Sequence, residues 1–305
     1  MSCDIGICCA PCPHLVACND MTGGRAHIVL PSRNLKRGAM KKPTKLLVVS
    51  DIHAGSKWAV CPLDAWVVET GGKPSRNAVM DWLTQCWQEF VDWAHPQLDG
   101  HDWTLLLNGD AIEGVHHGGR EIWSDVATDH TDAAERLLRQ LGKPSKSYIV
   151  QGTECHTRHE ENRLAKDLGG VISPDGGAWP HLRLKVGDCI VSATHHIGTT
   201  SRAYLESNNL SAALGHEIIE CDHGGWRTPD VVIRSHRHRH GVYSTGSKMI
   251  LVTGAWQALT RHGHKVVPAS LPRPTGHILT WQPGEKLPRV ETFIRHPPEP
   301  DHQSL

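Results

Sequence analysis

Five times along the 305-residue chain a short apolar run ends on an aspartate, a glutamate or a histidine, and this recurrence limits the folds open to the chain more than any other feature. "LLVVSDIH" ends at Asp51 and His53, "WTLLLNGD" at Asp110, "SYIVQGTECH" at Glu154 and His156, "CIVSATHH" at His195 and His196, and "DVVIRSHRH" at His236 and His238. Apolar runs of this length, rich in β-branched residues, read as buried strands. In an α/β sheet the carboxyl ends of strands border the crevice where ligands bind, so side chains delivered there meet in one place. A single Asp-x-His also fits a turn, because Asp and Gly favour turns. Five such endings in succession point to one polar rim.

Helical spacing fills most of the gaps. Val79, Leu83, Trp87, Phe90 and Val91 predict a helix over Arg76 to Ala94, a second is expected from Asp129 to Leu141, and a third near Glu160 to Leu168. The last part, "YSTG", "KMILVTGAW", "GHILTWQ" and "VETFIRH", reads as strands without helices between them and is expected to complete a sheet that is antiparallel at one side. Residues 1–43 lack periodicity and end in the basic "RNLKRGAMKKPTK", which reads as a tail and linker. The expected organisation is one folded domain over 44–296 and a short tail over 297–305.

Charge balances at 32 basic against 32 acidic residues, which argues against a general polyanion-binding surface. No run of 18 apolar residues suggests a membrane span, and the amino terminus lacks the charged start and apolar middle of a secretory signal, so a cytoplasmic protein without a membrane partner is expected. Nothing in the sequence points to a protein partner. The 23 histidines and 10 cysteines direct attention to metal chemistry. Cys61, Cys86, Cys155, Cys189 and Cys221 are scattered and read as small buried hydrophobes. Cys9, Cys12, His14 and Cys18 crowd together and offer a zinc-capable set, although their spacing matches no two-knuckle motif.

In order, the strand ends read DxH, GD, GTECH, HH and SHRH, a series that resembles the blocks of the calcineurin-like metallophosphoesterase superfamily over about Lys45 to Tyr243. In its GTExH form the chain looks most like phage- and prophage-encoded members, which would place it in the host cytoplasm. Two departures stand out: Thr153 and Glu154 occupy the place of an expected Asn-His step, and Ser235 replaces a glycine. The resemblance implies an αββα sandwich of two mixed sheets flanked by helices. It also implies two divalent ions, manganese first, with iron, zinc, nickel or magnesium as alternatives.

By the same resemblance Asp51, His53 and His238 hold one ion, His195, His236 and a third-block residue hold the other, and Asp110 bridges them. Glu154 is the expected third-block ligand, a carboxylate being a better donor to a hard cation than the Thr153 hydroxyl. His195 is preferred to His196 because it sits on the strand end. His156 takes the role of general acid. The implied reaction is hydrolysis of a phosphate ester by a hydroxide that bridges the metals. With Glu154 counted among three carboxylates, the site would carry about one net positive charge, which favours a phosphodiester over a doubly charged monoester.

Two other functions fit the same blocks. A nuclease would use Arg234, Arg237 and Arg239 to steer a nucleotide or nucleic-acid backbone, with Trp58, Trp66 or Trp123 available to stack on bases. A non-catalytic metal-binding interaction module would use the fold as a scaffold, but such a module is expected to have lost ligands.

Overall fold

The computed structural model describes residues 42–299 apart from 64–66, 70, 117–120, 158, 199–205 and 267–270. The cysteine-rich segment, including Cys9, Cys12, His14 and Cys18, lies outside the described residues, as does Trp66. Of the expected 297–305 tail, only 297–299 are described.

Strand alternation builds the layers. In β1 (Thr44–Val49), Leu46 and Val48 enter one core cluster and Leu47 and Val49 enter another, and all four are buried. A strand apolar on both faces must lie between two layers. β1 pairs in parallel with β2 (Trp103–Asn108), and β2 in parallel with β3 (Lys146–Val150). On the other side β1 pairs antiparallel with β9 (Thr275–Trp281), which pairs antiparallel with β10 (Arg289–Ile294).

A second five-stranded sheet contains β4 (Leu182–Val186), β5 (Cys189–Ala193), β6 (Val231–Arg234), β8 (Met249–Val252) and β7 (Gly241–Ser244), in that spatial order. β5, β6 and β8 run parallel, with β4 and β7 antiparallel at the edges. Leu46, Val48, Leu106 and Leu279 of the first sheet share a core with Val191, Ala193, Ile233 and Leu251 of the second. The outer face of the first sheet is covered by α1 (Ala78–Leu98), α2 (Ala127–Arg139) and α4 (Glu160–Asp167), through Leu83, Phe90, Leu137 and Leu164. Leu210 and Leu214 of α5 (Glu206–His223) cover the second sheet at Val232, Ile250 and Val252. The expected αββα sandwich of two mixed sheets is therefore present.

The fold departs from expectation in three respects. The strands after β6 do not complete a single sheet: β7 and β8 extend the second, and β9 and β10 extend the first. A short helix, α6 (Arg261–Val266), stands between β8 and β9, where strands alone were expected. β4 and the long α5 carry no counterpart in the expected set. The hydropathy of α5 explains its omission, since "ESNNLSAALGHEIIECDH" is only weakly amphipathic. Among the described residues no helix is long and apolar enough to cross a membrane.

α1 starts where Asn77 caps it, its side chain accepting hydrogen bonds from the amides of Val79 and Met80. Its Phe90 is fully buried between Trp87, Trp256 and Phe293, with ring centroids 5.1–5.6 Å away. Gly276 of β9 leaves room for that ring, because a Cβ there would stand 2.3 Å from it. Replacing Phe90 with alanine should lower stability by about 3–5 kcal/mol, the cost typical of an emptied aromatic site, as read from chemical denaturation midpoints.

Candidate metal centre

Among the described residues, five that are not glycine have positive φ: Asp51 at 51°, His53 at 48°, Asp110 at 52°, His236 at 73° and His238 at 55°. Left-handed backbone is unfavourable for residues with a Cβ and persists only where the surroundings enforce it. All five belong to the strand ends that the sequence marks. Backbone hydrogen bonds between the rims do the enforcing. Asp51 donates from its amide to the Gly109 carbonyl at 3.0 Å and His53 to the Asp110 carbonyl at 3.0 Å. The Asp51 carbonyl accepts from Trp256 at 2.9 Å, and Ser235 donates to the His195 carbonyl at 2.8 Å.

The result is two three-residue groups, Asp51 with His53 and His238, and Asp110 with His195 and His236, beside a third that shares His53 with Glu113 and His156; in each the donor atoms lie within 4.8 Å of one another. Nε2 of His53 and His238 are 3.2 Å apart, and Nε2 of His238 lies 3.4 Å from Asp51 Oδ1. In the second group, Nε2 of His195 lies 3.0 Å from Asp110 Oδ2. Asp110 Oδ2 is also 3.8 Å from Nε2 of His53, so this carboxylate reaches towards both groups. Between Gly109 and the His195 ring there is no space for a side chain: a Cβ on Gly109 would sit 2.4 Å from Nδ1.

His195 is buried and His196 is exposed, the latter 3.4 Å by Nε2 from the Thr153 hydroxyl. Glu154, the expected third-block ligand, joins neither group; it opens the four-residue helix α3 (Glu154–Thr157) and is exposed. Thr153 stands at the centre instead. Its amide donates to Asp110 Oδ1 at 2.6 Å, and its hydroxyl lies 3.1 Å from Asp110 Oδ2 and 3.2 Å from Nδ1 of His236. The charge count that favoured a diester thus loses one carboxylate. Arg234 does not face this site, because it is buried and paired with Glu217 at 2.6 Å.

Two carboxylates at the site carried no signal in the strand-end pattern. Glu113, three residues beyond Asp110, is buried and accepts from Nδ1 of His53 at 3.0 Å, Nε2 of His116 at 3.1 Å and the Gln257 amide at 2.7 Å. It fixes the His53 tautomer so that Nε2 faces the group, as outer-sphere carboxylates do for metal-binding imidazoles. Glu161 is buried on α4, accepting from the amides of Gly152 at 2.7 Å and Ala111 at 3.1 Å. It ties the second and third rims together. An acid three residues after Asp110, and a second acid on the buried face of the helix that follows the third rim, are the sequence signals that were available.

Electrostatics follow from this crowding. Burial pushes the Glu161 carboxyl up to about 7, and the neighbouring Asp110 charge adds to it. Burial alone would hold His195 neutral, yet Asp110 and Asp51 raise it to about 10. Burial opposes ionisation of Asp110, but His195 holds it well below the usual carboxylate range. Burial lowers His236 to about 4, with the His195 charge contributing. His156 is lowered by burial and by His53; its Nδ1 donates to the Glu113 carbonyl at 2.8 Å, and its ring stands edge-on between those of His53 and His116. His53, Asp110, Thr153, His156, His236 and His238 line a hollow of about 480 Å³.

No protein-family model matches the chain. A comparison with curated proteins finds no match. Solved structures with a similar arrangement include a double mutant of Vps29 from Entamoeba histolytica, at 14% identity and a TM-score of 0.40 over 83% of this chain and 99% of that one. They also include a novel archaeal phosphodiesterase, at 12% identity and a TM-score of 0.40 over 82% and 99%. Vacuolar Protein Sorting 29 from Cryptosporidium parvum aligns at 14% identity and a TM-score of 0.37 over 84% and 100%. At these values the likenesses carry no argument about activity, and the chemistry of this chain is argued from its own residues.

The His195–Asp110 pair sets a pH dependence in metal-free protein. His195 binds its proton more tightly folded than unfolded, so its contribution is complete below about 6.5 and is lost as pH rises through about 10. Chelator-treated protein should lose denaturant midpoint steadily over that window. His195→Asn should be less stable at pH 6.5 and flatter above it.

Proposed function

We propose that the chain is a metal-dependent phosphoesterase of the calcineurin-like metallophosphoesterase superfamily. One observation carries this reading: every non-glycine residue with positive φ among the described residues belongs to the two donor groups. Strained backbone concentrated on one set of carboxylates and imidazoles marks a functional site rather than a packing accident.

The residues fit divalent ions. Oδ1 of Asp51 and Nε2 of His195 are buried 3.9 Å apart, and their near neighbours are other donor atoms of the site, His238 Nε2 at 3.4 Å from the first and Asp110 Oδ2 at 3.0 Å from the second. Donor atoms buried this close together fit a shared cation better than they fit each other. Nδ1 of His195 donates to the Asn108 carbonyl at 2.7 Å, which leaves its Nε2 as the ligand atom once the proton departs. Asp51, His53 and His238 would hold one ion, His195 and His236 the other, and Asp110 both. A set of carboxylate and imidazole donors without thiolate suits borderline divalent ions such as manganese, iron, zinc or nickel, of which manganese is the one we assign. Two divalent ions, when bound, neutralise phosphoryl oxygens and acidify water at the phosphorus.

The chain's own groups do the rest. Nδ1 of His156 is committed to the Glu113 carbonyl, so Nε2 is the atom that can hand a proton to the leaving oxygen as the phosphorus–oxygen ester bond breaks. Burial makes that imidazolium a stronger acid, which favours the transfer. Thr153 holds both oxygens of Asp110 and adds no charge. With two carboxylates facing two divalent ions, about two positive charges remain, which favours a monoester dianion over a diester.

Three variants test the reading in manganese-loaded protein assayed on aryl monoesters and diesters. Asp110→Asn should fold but lose most activity, and retention within a factor of two would defeat the proposal. His156→Ala should lower kcat roughly 100-fold with metal content unchanged. Glu154→Gln should leave the monoester-to-diester ratio of kcat/KM within about twofold, because its carboxylate is exposed; a large rise would return Glu154 to the metal centre.

A further inference from the structure

A second hollow adjoins the metal side. It measures about 770 Å³, within the roughly 300–1,000 Å³ typical of small-molecule sites, and its walls include Trp58, Val79, Trp82, Leu259, Leu271 and Pro298. Ala258 and Leu259 line both hollows. Hydrogen bonds hold the wall where they meet: the Ala258 amide donates to the Trp58 carbonyl at 2.7 Å, and Nε1 of Trp58 donates to Glu121 at 2.9 Å. Glu121 itself lines the metal-side hollow. The apolar walls therefore begin where the metal-side hollow ends, at Ala258 and Leu259.

The chemistry of those walls selects the group that the phosphate carries. Among the described residues neither lysine nor arginine lines the groove, and its titratable groups are His264 and Glu299. A polynucleotide laid through it would place phosphates against tryptophan, leucine and proline without a cation, whereas binding a nucleic-acid backbone depends on such cations. An apolar organic group loses its hydration there and gains a factor of about four for each methylene buried.

We propose that the groove binds the organic substituent of the substrate, so that the favoured substrates are phosphate esters of apolar aryl or alkyl alcohols. The inference rests on the metal centre being a phosphoester site. Its test is calorimetric binding of inorganic phosphate, methylphosphonate, butylphosphonate and phenylphosphonate to the full chain loaded with manganese. Butyl- and phenylphosphonate should bind about tenfold or more tightly than methylphosphonate. Leu271→Asp, at a position 61% exposed and outside the metal centre, should abolish that gain and leave methylphosphonate unchanged. Equal affinities, or a gain that survives Leu271→Asp, would overturn the groove assignment alone. Failure of all four to bind would overturn the metal-centre reading and this inference with it.

Discussion

The rest of the site depends on one backbone constraint, the left-handed turn taken at the carboxyl ends of β1, β2 and β6. Asp51, Asp110 and His236 could each relax to ordinary φ only by swinging their side chains out of the crevice. What prevents this is the lacing of one rim to the next, Asp51 to Gly109 and His53 to Asp110. The lacing in turn needs the parallel register of β1 on β2, with Val49 opposite Leu107, so that both strands end level. Strain of about 1–3 kcal/mol at each such residue is held by burial of the strands below.

Buried carboxylates form a shell around this backbone. Glu113 reaches His53 and forms the third donor group with it and His156, while Glu161 reaches the amides that flank Asp110 and Thr153, so each holds a segment that carries donor residues. Negative groups packed so closely would repel one another were they not shared among imidazoles and amides. His195 and His236 feel the same two carboxylates, Asp51 and Asp110, but these outweigh burial only at His195; at His236 burial and the charge on His195 prevail.

Much of this was legible in the sequence. Strand ends at Asp51, Asp110, His195 and His236 could be read because each strand is an unbroken apolar run and the polar residue comes directly after it. The third rim could not be read as well. There the chain turns directly into α3, and one residue of difference decides whether Thr153 or Glu154 points inward, a choice made by the amide of Thr153 binding Asp110. Spacing along a strand has no access to that contact. Arg234 misled for a related reason: it ends an apolar strand beside two histidines, but Glu217 on α5 captures it from the opposite side of the sheet. The partition of the last four strands between two sheets was likewise hidden, since alternation tells which face is buried and not which neighbour covers it.

Two of the donor groups take residues from both sheets: Asp51 and His53 meet His238 across the sandwich, and Asp110 meets His195 and His236. The two layers are otherwise held face to face by side chains such as Leu46, Val48, Ile233 and Leu251, which resist separation but have no directional preference for where one sheet lies over the other. Ligand geometry does have such a preference. A slide of even a few ångströms between the layers would pull both groups apart together, so the crevice acts as a vernier on the sandwich. Its two halves read the alignment of the whole core, and any substitution that shifts one layer against the other reaches both at once.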